Sequence, residues 1–544
     1  MSLEIKVNGK SLSAQSGSSI FECSEELGVH VPTSCNKNGK CRECIVEITA
    51  GAELLSDLSS EEEHLGDGFR LACRARLDAD SGSVNCHTMR RAKMRIEESG
   101  WKTITKKELS PAVTREGSSV LLDGEPLAEA PGPLLGIALD LGTTTVVLRL
   151  LDLESGKQVD AASFENPQRF GGSDVMARIQ YDSDHSGRLL QRTLLSYLAH
   201  CIEDLDCDPA TIYEIIVAGN TTMRDLLFGL DVSSIGQRPY QSVTEHELHK
   251  GLRESTGIES TAKKLRLPTC PQARIVGLPL VSGHVGADAA ACLLAVDLAG
   301  SDGLTAIMDI GTNTELIVNC EGRLLASSCP AGPAFEGGAI SCGMPGLEGA
   351  IESVRIDAEG NLGYEVIGDS ARADGICGSG LVELLGELLR SERMDHLGRL
   401  ANEADRFAVA EAGSVYLSEE DISQLAQAKG ANVAGLEIVM KNLGRSSRDL
   451  DRFYLAGGFA SRLDLDSARR IGLIPDLPDE KITRIGNAAI EGATLALLST
   501  HKRRELEETV SRIEHIELET DPDFFDHFVE GCQFKPIGVK GSRP

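Results

Sequence analysis

The stretch "LLGIALDLGTTTVVLRLLD" (residues 134–152) contains two apolar runs separated by a Gly–Thr turn. The first run includes one acidic residue near its end, Asp140, and the turn begins at Gly142. This pattern predicts a hairpin of two buried strands. The stretch "LTAIMDIGTNTELIVNC" (residues 304–320) repeats it, with Asp309 and Gly311 in the equivalent places. A hairpin design that occurs twice in one chain indicates duplicated halves.

A second pair of segments supports this duplication. "IYEIIVAGNTTMRDLLFG" (residues 212–229) and "DRFYLAGGFASRLD" (residues 451–464) each read as a buried strand, an Ala–Gly turn and the start of a helix. Each half therefore holds an Asp–Gly–Thr hairpin followed by a strand–turn–helix unit. A single hairpin of this kind is an ordinary β-turn, whereas two matched pairs in the same order favour a repeated α/β lobe.

The two hairpins have the composition of a phosphate site. A tight Gly–Thr turn directs successive N–H groups and hydroxyls into one concavity, which suits phosphate oxygens. Asp140 and Asp309 are the expected catalytic residues: they would hold Mg²⁺ through water, and one of them would orient an attacking water. The residues expected to bind the phosphates are Gly142, Thr143 and Thr144 in the first hairpin, and Gly311, Thr312, Asn313 and Thr314 in the second.

These motifs resemble those of the actin, sugar-kinase and heat-shock-chaperone ATPase superfamily over about residues 134–500. The resemblance implies two ribonuclease-H-like lobes that close on ATP, at residues 134–300 and 301–500, with residues 501–544 as a C-terminal extension. It makes "LAGGFA" (Leu455–Ala460) the adenosine motif, in which Gly457 and Gly458 let the backbone approach the nucleotide. Asp288 is expected near the cleft or simply at a helix start, and the glycines of "DGICGSG" (374–380) serve either a ligand or close helix packing.

The front of the chain carries a different chemistry. "LEIKV", "NGK" and "SIFECSEELG" predict a strand, a turn and, after a second strand, a helix. Four cysteines then follow with the spacing C-x5-C-x2-C-x28-C: Cys35, Cys41, Cys44 and Cys73. Four cysteinates, three from one loop and one from a distant segment, are the ligand set of a ferredoxin-type cluster. Zinc and inert core thiols are the alternatives, but zinc sites usually show paired CxxC knuckles and only one is present.

Residues 1–90 resemble the 2Fe–2S ferredoxins with a β-grasp fold. The first cysteine gap has five residues, as in the adrenodoxin-like pattern, where the plant-type pattern has four. Gly39 is expected to let the loop wrap closely around the cluster. The segment 91–133, basic at first and then rich in Pro and Gly, is predicted to be a linker, either a solvated connector or a tether that lets the cluster domain swing.

Composition excludes several classes of function. The formal net charge of −29 argues against nucleic acid and against an anionic membrane surface. Because no apolar run approaches the length of a membrane span and the first residues lack a signal peptide, a reducing cytoplasm is expected. The 15 cysteines are then unlikely to form a disulfide framework.

The whole chain resembles the ATP-dependent reductive activators of corrinoid proteins, on the cysteine spacing and on "DLGTTT", "AGNTTM", "DIGTNTE", "GPAFEGG", "GICGSG" and "AGGFA". The resemblance implies a 2Fe–2S cluster, ATP and Mg²⁺ as cofactors, and reduction of cob(II)alamin to cob(I)alamin on a corrinoid protein of a methyltransferase system. It also implies a low-potential electron donor of unknown identity, and it leaves a homodimer open. A metabolite kinase with a redox-sensing domain is the alternative enzyme, and an ATP-gated binding module is the non-catalytic alternative.

Overall fold

A computed structural model describes residues 3–89, 108–129, 132–368, 372–410, 414–458 and 460–537. The chain divides into two compact units. The described residues up to Leu278, together with Ala496–Arg503, form the first, and Pro279–Leu495 with the described residues from Arg504 onward form the second. Among the described residues, no helix combines the length and the apolar character that crossing a membrane requires.

The first unit begins with a small mixed sheet and one helix. Its strands are ordered β2-β1-β5-β3-β4, with β1 parallel to β5 and its other pairs antiparallel. Leu3, Ile5 and Val7 of the first strand are buried, and the two residues between them are exposed, as the alternating sequence predicts. The elements are β1 (Leu3–Val7), β2 (Lys10–Ser13), α1 (Ile20–Glu26), β3 (Ile45–Ala50), β4 (Phe69–Leu71) and β5 (Gly82–Thr88). We call residues 3–89 the ferredoxin domain.

A separate three-stranded antiparallel sheet follows inside the segment predicted as a linker. It consists of β6 (Val113–Glu116), β7 (Ser119–Leu122) and β8 (Glu125–Glu129). Short turns at Gly117 and Gly124, both with positive φ, join its strands. Residues 90–107 and 130–131, which include the basic part of the predicted tether, lie outside the described residues. The tether therefore stays a prediction.

The next part of the first unit, the first lobe, is a six-stranded sheet of order β11-β10-β9-β12-β14-β13 with helices. Strand β9 is antiparallel to β10 and parallel to β12, and β12 is parallel to β14. The strands are β9 (Leu135–Leu141), β10 (Thr145–Asp152), β11 (Gln158–Glu165), β12 (Ile212–Gly219), β13 (Ile258–Thr261) and β14 (Arg274–Gly277). The helices are α2 (Val175–Asp184), α3 (Leu189–Glu203), α4 (Thr221–Phe228), α5 (Val243–His249) and α6 (Ala262–Leu265).

The second unit contains a six-stranded sheet of order β24-β23-β15-β16-β17-β25, with two smaller sheets and a helical layer. The strands of the chain from here on are β15 (Leu304–Ile310), β16 (Thr314–Cys320), β17 (Arg323–Cys329), β18 (Ala350–Ile356), β19 (Leu362–Val366), β20 (Gly375–Ile376), β21 (Arg406–Ala408), β22 (Tyr416–Ser418), β23 (Arg452–Ala456), β24 (Ile482–Gly486) and β25 (Glu514–His515). The helices of the chain from here on are α7 (Ala287–Val296), α8 (Gly378–Arg390), α9 (Glu419–Asn442), α10 (Leu465–Ile471), α11 (Ala488–Leu498), α12 (Thr500–Val510) and α13 (Phe524–Gly531). The end of α11 and the start of α12 belong to the first unit.

The two large sheets confirm the predicted duplication. In each, three antiparallel strands are followed in space by two parallel ones: β11-β10-β9-β12-β14 in the first sheet and β17-β16-β15-β23-β24 in the second. The registers also correspond, because Ala218 lies opposite Asp140 and Ala456 lies opposite Asp309. Each acidic residue thus stands beside the Ala–Gly turn of the neighbouring parallel strand, at the strand ends where ligands bind in α/β sheets.

The glycine-rich start of α8 has a packing explanation. A Cβ on Gly380 would lie 2.3 Å from the carbonyl oxygen of Ile351, and a Cβ on Gly386 would lie 2.6 Å from the side chain of Ser467. These glycines let α8 pack closely on β18 and α10. Close packing therefore explains Gly380 of "GICGSG" and Gly386 further along the helix.

Candidate functional site

The four predicted cluster cysteines converge in the ferredoxin domain. Cys35, Cys41 and Cys44 lie in the loop between α1 and β3, and Cys73 follows β4. The Cys44 and Cys73 sulfurs are 3.3 Å apart, and Cys35 and Cys41 are hydrogen-bonded to each other. Cys44 and Cys73 are buried, while the other pair is partly exposed. The fold thus arranges the ligand set as two adjacent pairs of thiols.

Backbone donors surround these sulfurs. Burial opposes ionisation of Cys35, but N–H groups of Cys41 and Asn38 outweigh it and lower the pKa of Cys35 to about 7. The Gly39 N–H donates to the sulfur of Cys73, whose pKa is lowered first by its bond with Cys44. Gly39 has a φ of 81°, a conformation that glycine adopts readily, and its expected close approach to the cluster stays a prediction. Such donors favour thiolates, the form that binds metal.

The paired arrangement fits a dinuclear cluster. Within the described ranges, no three or more Cys, His, Asp or Glu side chains form a group suited to one metal ion. A 2Fe–2S cluster instead needs four cysteinates, two for each iron. The four residues present, with their backbone donors, match that requirement in number, chemistry and pairing.

The ferredoxin domain is docked on the first lobe beside the cysteine loop. The Tyr197 hydroxyl of α3 donates to the backbone oxygen of Glu43 at 3.1 Å, next to Cys44. The Tyr181 hydroxyl of α2 donates to the backbone oxygen of His64. The Gly66 N–H donates to the Phe170 oxygen at 3.3 Å. We call these three hydrogen bonds the docking contact.

An ion pair accompanies the docking contact. Arg169, in the 3-10 helix Pro167–Gly171, lies 3.2 Å from Glu47 of β3 and also contacts Glu165. The same short helix supplies Phe170, whose ring meets the His64 ring edge-on at 6.0 Å. Elements of the first lobe therefore contact the ferredoxin domain at the end of the cysteine loop and at residues that follow it in sequence.

Side chains from three elements hold the first hairpin. Asn166 Nδ2 donates to the Gly142 oxygen at 2.9 Å, and Asn220 Nδ2 donates to Thr143 Oγ1 at 2.8 Å. Arg178 Nη2 donates to the Thr143 oxygen at 2.7 Å. Asn220 also caps α4, which follows the Ala–Gly turn. Through Asn220, the strand–turn–helix unit of residues 212–229 helps to hold the turn of the first hairpin.

The second hairpin receives a partner from the glycine-rich segment 330–346. Gly311 N–H donates to the Asn313 oxygen at 3.0 Å, which closes the turn. Thr312 Oγ1 donates to Glu336 Oε2 at 2.5 Å. The hydroxyl of Thr314 is buried and has no hydrogen-bond partner in the part of the chain that the structure describes. A buried hydroxyl without a partner is expensive, so this turn is chemically suited to receive a polar ligand.

Carboxyl groups gather at the end of β15. Burial raises the pKa of Asp309 to about 6. The Cys292 S–H, which donates to Asp309 Oδ2 at 3.3 Å, acts in the opposite direction and lowers this pKa. Burial, together with the charge of Asp309, raises the pKa of Asp288 to about 7. Burial and both aspartates raise the pKa of Glu315 well above its ordinary value. Carboxylate oxygens are the ligands that Mg²⁺ prefers, but these three carboxyl groups do not form a three-ligand metal site among the described residues, so the metal-binding role of Asp309 stays a prediction.

The adenosine motif is built around one close approach. Gly457 has a φ of 115°, and a Cβ there would lie 2.2 Å from the Ile310 oxygen, so only glycine fits beside the second hairpin. A Cβ on Gly458 would meet nothing within 4 Å. Gly457 is therefore required by the fold, whereas Gly458 leaves room for another group.

The structure places the predicted site residues in three groups. The four cysteines lie together, Asp140 adjoins Gly142, Thr143 and Thr144 in the first unit, and Asp309 adjoins the remaining hairpin and adenosine residues in the second. Asp288 lies in the first turn of α7, as the helix-start alternative predicts, and its charge interacts with that of Asp309; its place near a nucleotide stays a prediction. Sequence reasoning missed the roles of Arg178, Asn166, Asn220, Glu336 and Cys292. Of these residues, Asn220 and Glu336 lay in quoted motifs.

Family models match three consecutive parts of the chain. A 2Fe-2S iron-sulfur cluster binding domain matches residues 5–78. The RACo middle region matches residues 135–301. The C-terminal domain of RACo, the ASKHA domain, matches residues 303–540.

Similar proteins cover most or nearly all of the chain. The corrinoid activation enzyme RamQ of Eubacterium limosum is 27% identical over 600 aligned residues, with 98% of this chain and 97% of that protein covered. The Co(II) methylated amine-specific corrinoid protein reductase of Methanosarcina barkeri is 23% identical over 421 residues, with 73% and 76% covered. The solved structure of a reductive activator for corrinoid, iron-sulfur protein is 26% identical, with a TM-score of 0.71 and 98% of both chains covered. The chain therefore belongs to the RACo family, in which a 2Fe–2S domain precedes a middle region and an ASKHA domain.

Proposed function

We propose that this protein reduces cob(II)alamin on a corrinoid protein to cob(I)alamin, in an ATP-dependent reaction that serves a methyltransferase system. One observation carries the proposal: a domain with a four-cysteine site is docked, within one chain, on a lobe that has an Asp–Gly–Thr hairpin of the kind that binds phosphates. The similarity to a corrinoid activation enzyme and a corrinoid protein reductase extends over most of the chain and supports it.

The four cysteines Cys35, Cys41, Cys44 and Cys73 would hold the 2Fe–2S cluster. When bound, the cluster would supply one-electron transfer between a low-potential donor and the corrinoid protein. The loop that carries three of the cysteines supplies N–H groups that offset the extra negative charge of the reduced state. Burial of Cys44 and Cys73 excludes water from one pair of ligands.

The two hairpins would bind ATP. Gly142, Thr143 and Thr144 from the first lobe, and Gly311, Thr312, Asn313 and Thr314 from the second unit, are the proposed phosphate contacts. Asp140 and Asp309 would hold Mg²⁺ through water, and one of them would orient the attacking water. Gly457 and Gly458 would face the adenosine, with Asp288 adding charge for the metal.

A physical reason joins the two sites. Reduction to cob(I)alamin is an uphill electron transfer, and each tenfold bias of a one-electron equilibrium requires about 59 mV. Closure of the nucleotide-binding lobes can supply such a bias if it favours one state of the bound corrinoid protein. We place the reaction in a reducing cytoplasm, with an external electron donor and a corrinoid protein as partners, and we leave a homodimer as a proposal.

Cobalt absorbance tests the proposal directly. The protein, a low-potential reductant and a cob(II)alamin-loaded corrinoid protein are mixed with and without MgATP. Conversion to cob(I)alamin that depends on ATP is expected. Cys44→Ala should abolish the cluster absorbance and the conversion but leave ATP binding intact, whereas Asp309→Ala should leave the cluster absorbance intact and abolish the ATP effect.

A matched control separates ligand loss from general damage. Cys86, buried in β5 of the same domain, lies outside the motif, and Cys86→Ala should keep the cluster. A cob(II)alamin signal that decays equally with and without ATP would contradict the proposed ATP dependence. A Cys44→Ala variant that still reduces the corrinoid normally would contradict the proposed electron path.

A further inference from the structure

Arg178 is a fully buried arginine that touches the first hairpin. It lies on α2 with 0% of its surface exposed. Its Nη2 donates to the Thr143 oxygen at 2.7 Å, and its Nε donates to the Gly172 oxygen at 3.0 Å. Its Nη1 lies 3.0 Å from the Met223 sulfur. Every direct partner of this cation is therefore neutral.

The lack of a counter-ion distinguishes Arg178 from its neighbour in the same lobe. Arg224 is equally buried but is paired with Asp225 at 2.7 Å. No carboxylate of the described residues lies within ion-pair distance of Arg178. Burial lowers the pKa of Arg178 to about 9, so the guanidinium still carries its charge at neutral pH. The Asp174 carboxylate at the start of α2 acts on Arg178 from beyond ion-pair distance, and the nearby Arg169 opposes that effect. A buried charge without a direct ion-pair partner costs several kcal/mol, which favours an anion arriving nearby.

The hydrogen bond to Thr143 also orients the turn. A peptide group is planar and trans, so fixing the direction of the Thr143 carbonyl fixes the N–H of Thr144 in the opposite direction. Asn166 fixes the carbonyls of the residues before and after Thr143 in the same way. Its Nδ2 donates to the Gly142 oxygen at 2.9 Å, and its backbone N–H donates to the Thr144 oxygen at 2.8 Å. Three successive carbonyls are thus each held by a hydrogen bond. Each of these bonds fixes the N–H of the same peptide group in the opposite direction, and fixed N–H groups are what a phosphate cradle requires.

We propose that Arg178 is a positioning residue for the phosphates of ATP, aiming the Thr144 N–H through the Thr143 carbonyl and supplying a positive charge behind the first hairpin. This inference rests on the proposed function, since it presupposes that the hairpin binds ATP. The charge acts more strongly on MgATP than on MgADP, because MgATP carries one more negative charge.

The test compares MgATP and MgADP dissociation constants in the full-length, cluster-loaded protein. Arg178→Met should weaken MgATP binding about tenfold or more, as expected when a hydrogen bond from a charged group is lost. It should weaken MgADP binding less, so the ratio of the two constants changes. Arg178→Lys keeps the charge but not the fork of donors, and should weaken both nucleotides while preserving most of the ratio.

A matched control and a fold check separate positioning from structure. Arg149 is a buried arginine of β10 whose Cα lies opposite Ala138, away from the turn, and Arg149→Met should leave the ATP-to-ADP ratio unchanged. Cluster absorbance and thermal unfolding establish that each variant is folded. If Arg178→Met does not fold, an Arg178→Lys variant with wild-type affinity for both nucleotides overturns the inference. A folded Arg178→Met with a wild-type ratio also overturns it, whereas a wild-type protein that binds no MgATP overturns the proposed function itself.

Discussion

Gly66 offers a way to loosen the ferredoxin domain without touching its interior. The residue lies in the ferredoxin domain, and a Cβ built on it would be 2.8 Å from the Phe170 oxygen of the first lobe. Within 4 Å it would otherwise meet only the carbonyl carbon of Phe170. Gly66 has an ordinary φ, so alanine introduces no backbone strain. Gly66→Ala therefore perturbs the docking contact and nothing inside the domain.

The expected size follows from that distance. Real Cβ atoms almost never come within 3.0 Å of such an atom, so the two surfaces must separate by a few tenths of an ångström. Overpacking of this kind costs about 1–3 kcal/mol. The Gly66 N–H to Phe170 oxygen bond at 3.3 Å is stretched by the same movement. The docked state should therefore become roughly 5- to 150-fold less favourable relative to the undocked one.

Hydrogen exchange read by mass spectrometry measures this change. Peptides that contain Gly66 should exchange faster in Gly66→Ala, as should the α2 and α3 peptides that contain Tyr181 and Tyr197. Tyr181→Phe, which removes a hydroxyl donor on the first-lobe side of the docking contact, should speed hydrogen exchange in the same peptides. The cluster absorbance should stay unchanged in both variants. If a swing of the domain limits turnover, ATP-dependent corrinoid reduction should also become faster.

Unchanged exchange in both variants would refute the reasoning, because it would mean that the docking contact does not hold the domain. Faster exchange throughout the ferredoxin domain, with loss of cluster absorbance, would also refute it. That result would show that Gly66→Ala damages the domain rather than its docking.

Two further predictions concern buried charges. The folded protein keeps a proton on Asp288 up to about pH 7, while the unfolded carboxyl loses it near pH 4, so the unfolding free energy falls as pH rises between these values. The unfolding free energy of Asp288→Asn should lack that fall, so without Mg²⁺ the variant should be more stable than wild type at pH 7. It should also bind MgATP more weakly. Equal stability of the two proteins at pH 7 would contradict this prediction. Burial lowers the pKa of Lys429 to about 7, although its ammonium donates to the Gly531 and Gln533 oxygens. The unfolded chain then holds one proton more between about pH 7 and 10, so wild-type stability should rise by up to about 1.4 kcal/mol per pH unit. Lys429→Met should lack this rise in urea unfolding series, and parallel pH profiles would contradict the assignment.

Much of the fold was accessible from local pattern. Both Asp–Gly–Thr hairpins form where the apolar runs and turn residues predict them, and the sheet orders repeat as the paired motifs predict. The segment predicted as a linker holds a three-stranded sheet at residues 113–129, which its Pro and Gly content concealed. The glycines of "GICGSG" illustrate a further limit, because a glycine needed for close packing and one needed for a ligand look alike in sequence.

The sequence alone determined the chemistry that is written in short spacings. Three thiols within ten residues and a fourth after β4 predict a thiolate-bound cluster, and two Asp–Gly–Thr turns predict a phosphate site, because ligand type and turn geometry depend on neighbouring residues. Only the tertiary structure revealed the unpaired cation of Arg178, the Thr312–Glu336 bond and the close approach of Gly66 to Phe170. These contacts join residues that are 24 or more positions apart, and no periodicity or local spacing encodes which distant side chains meet.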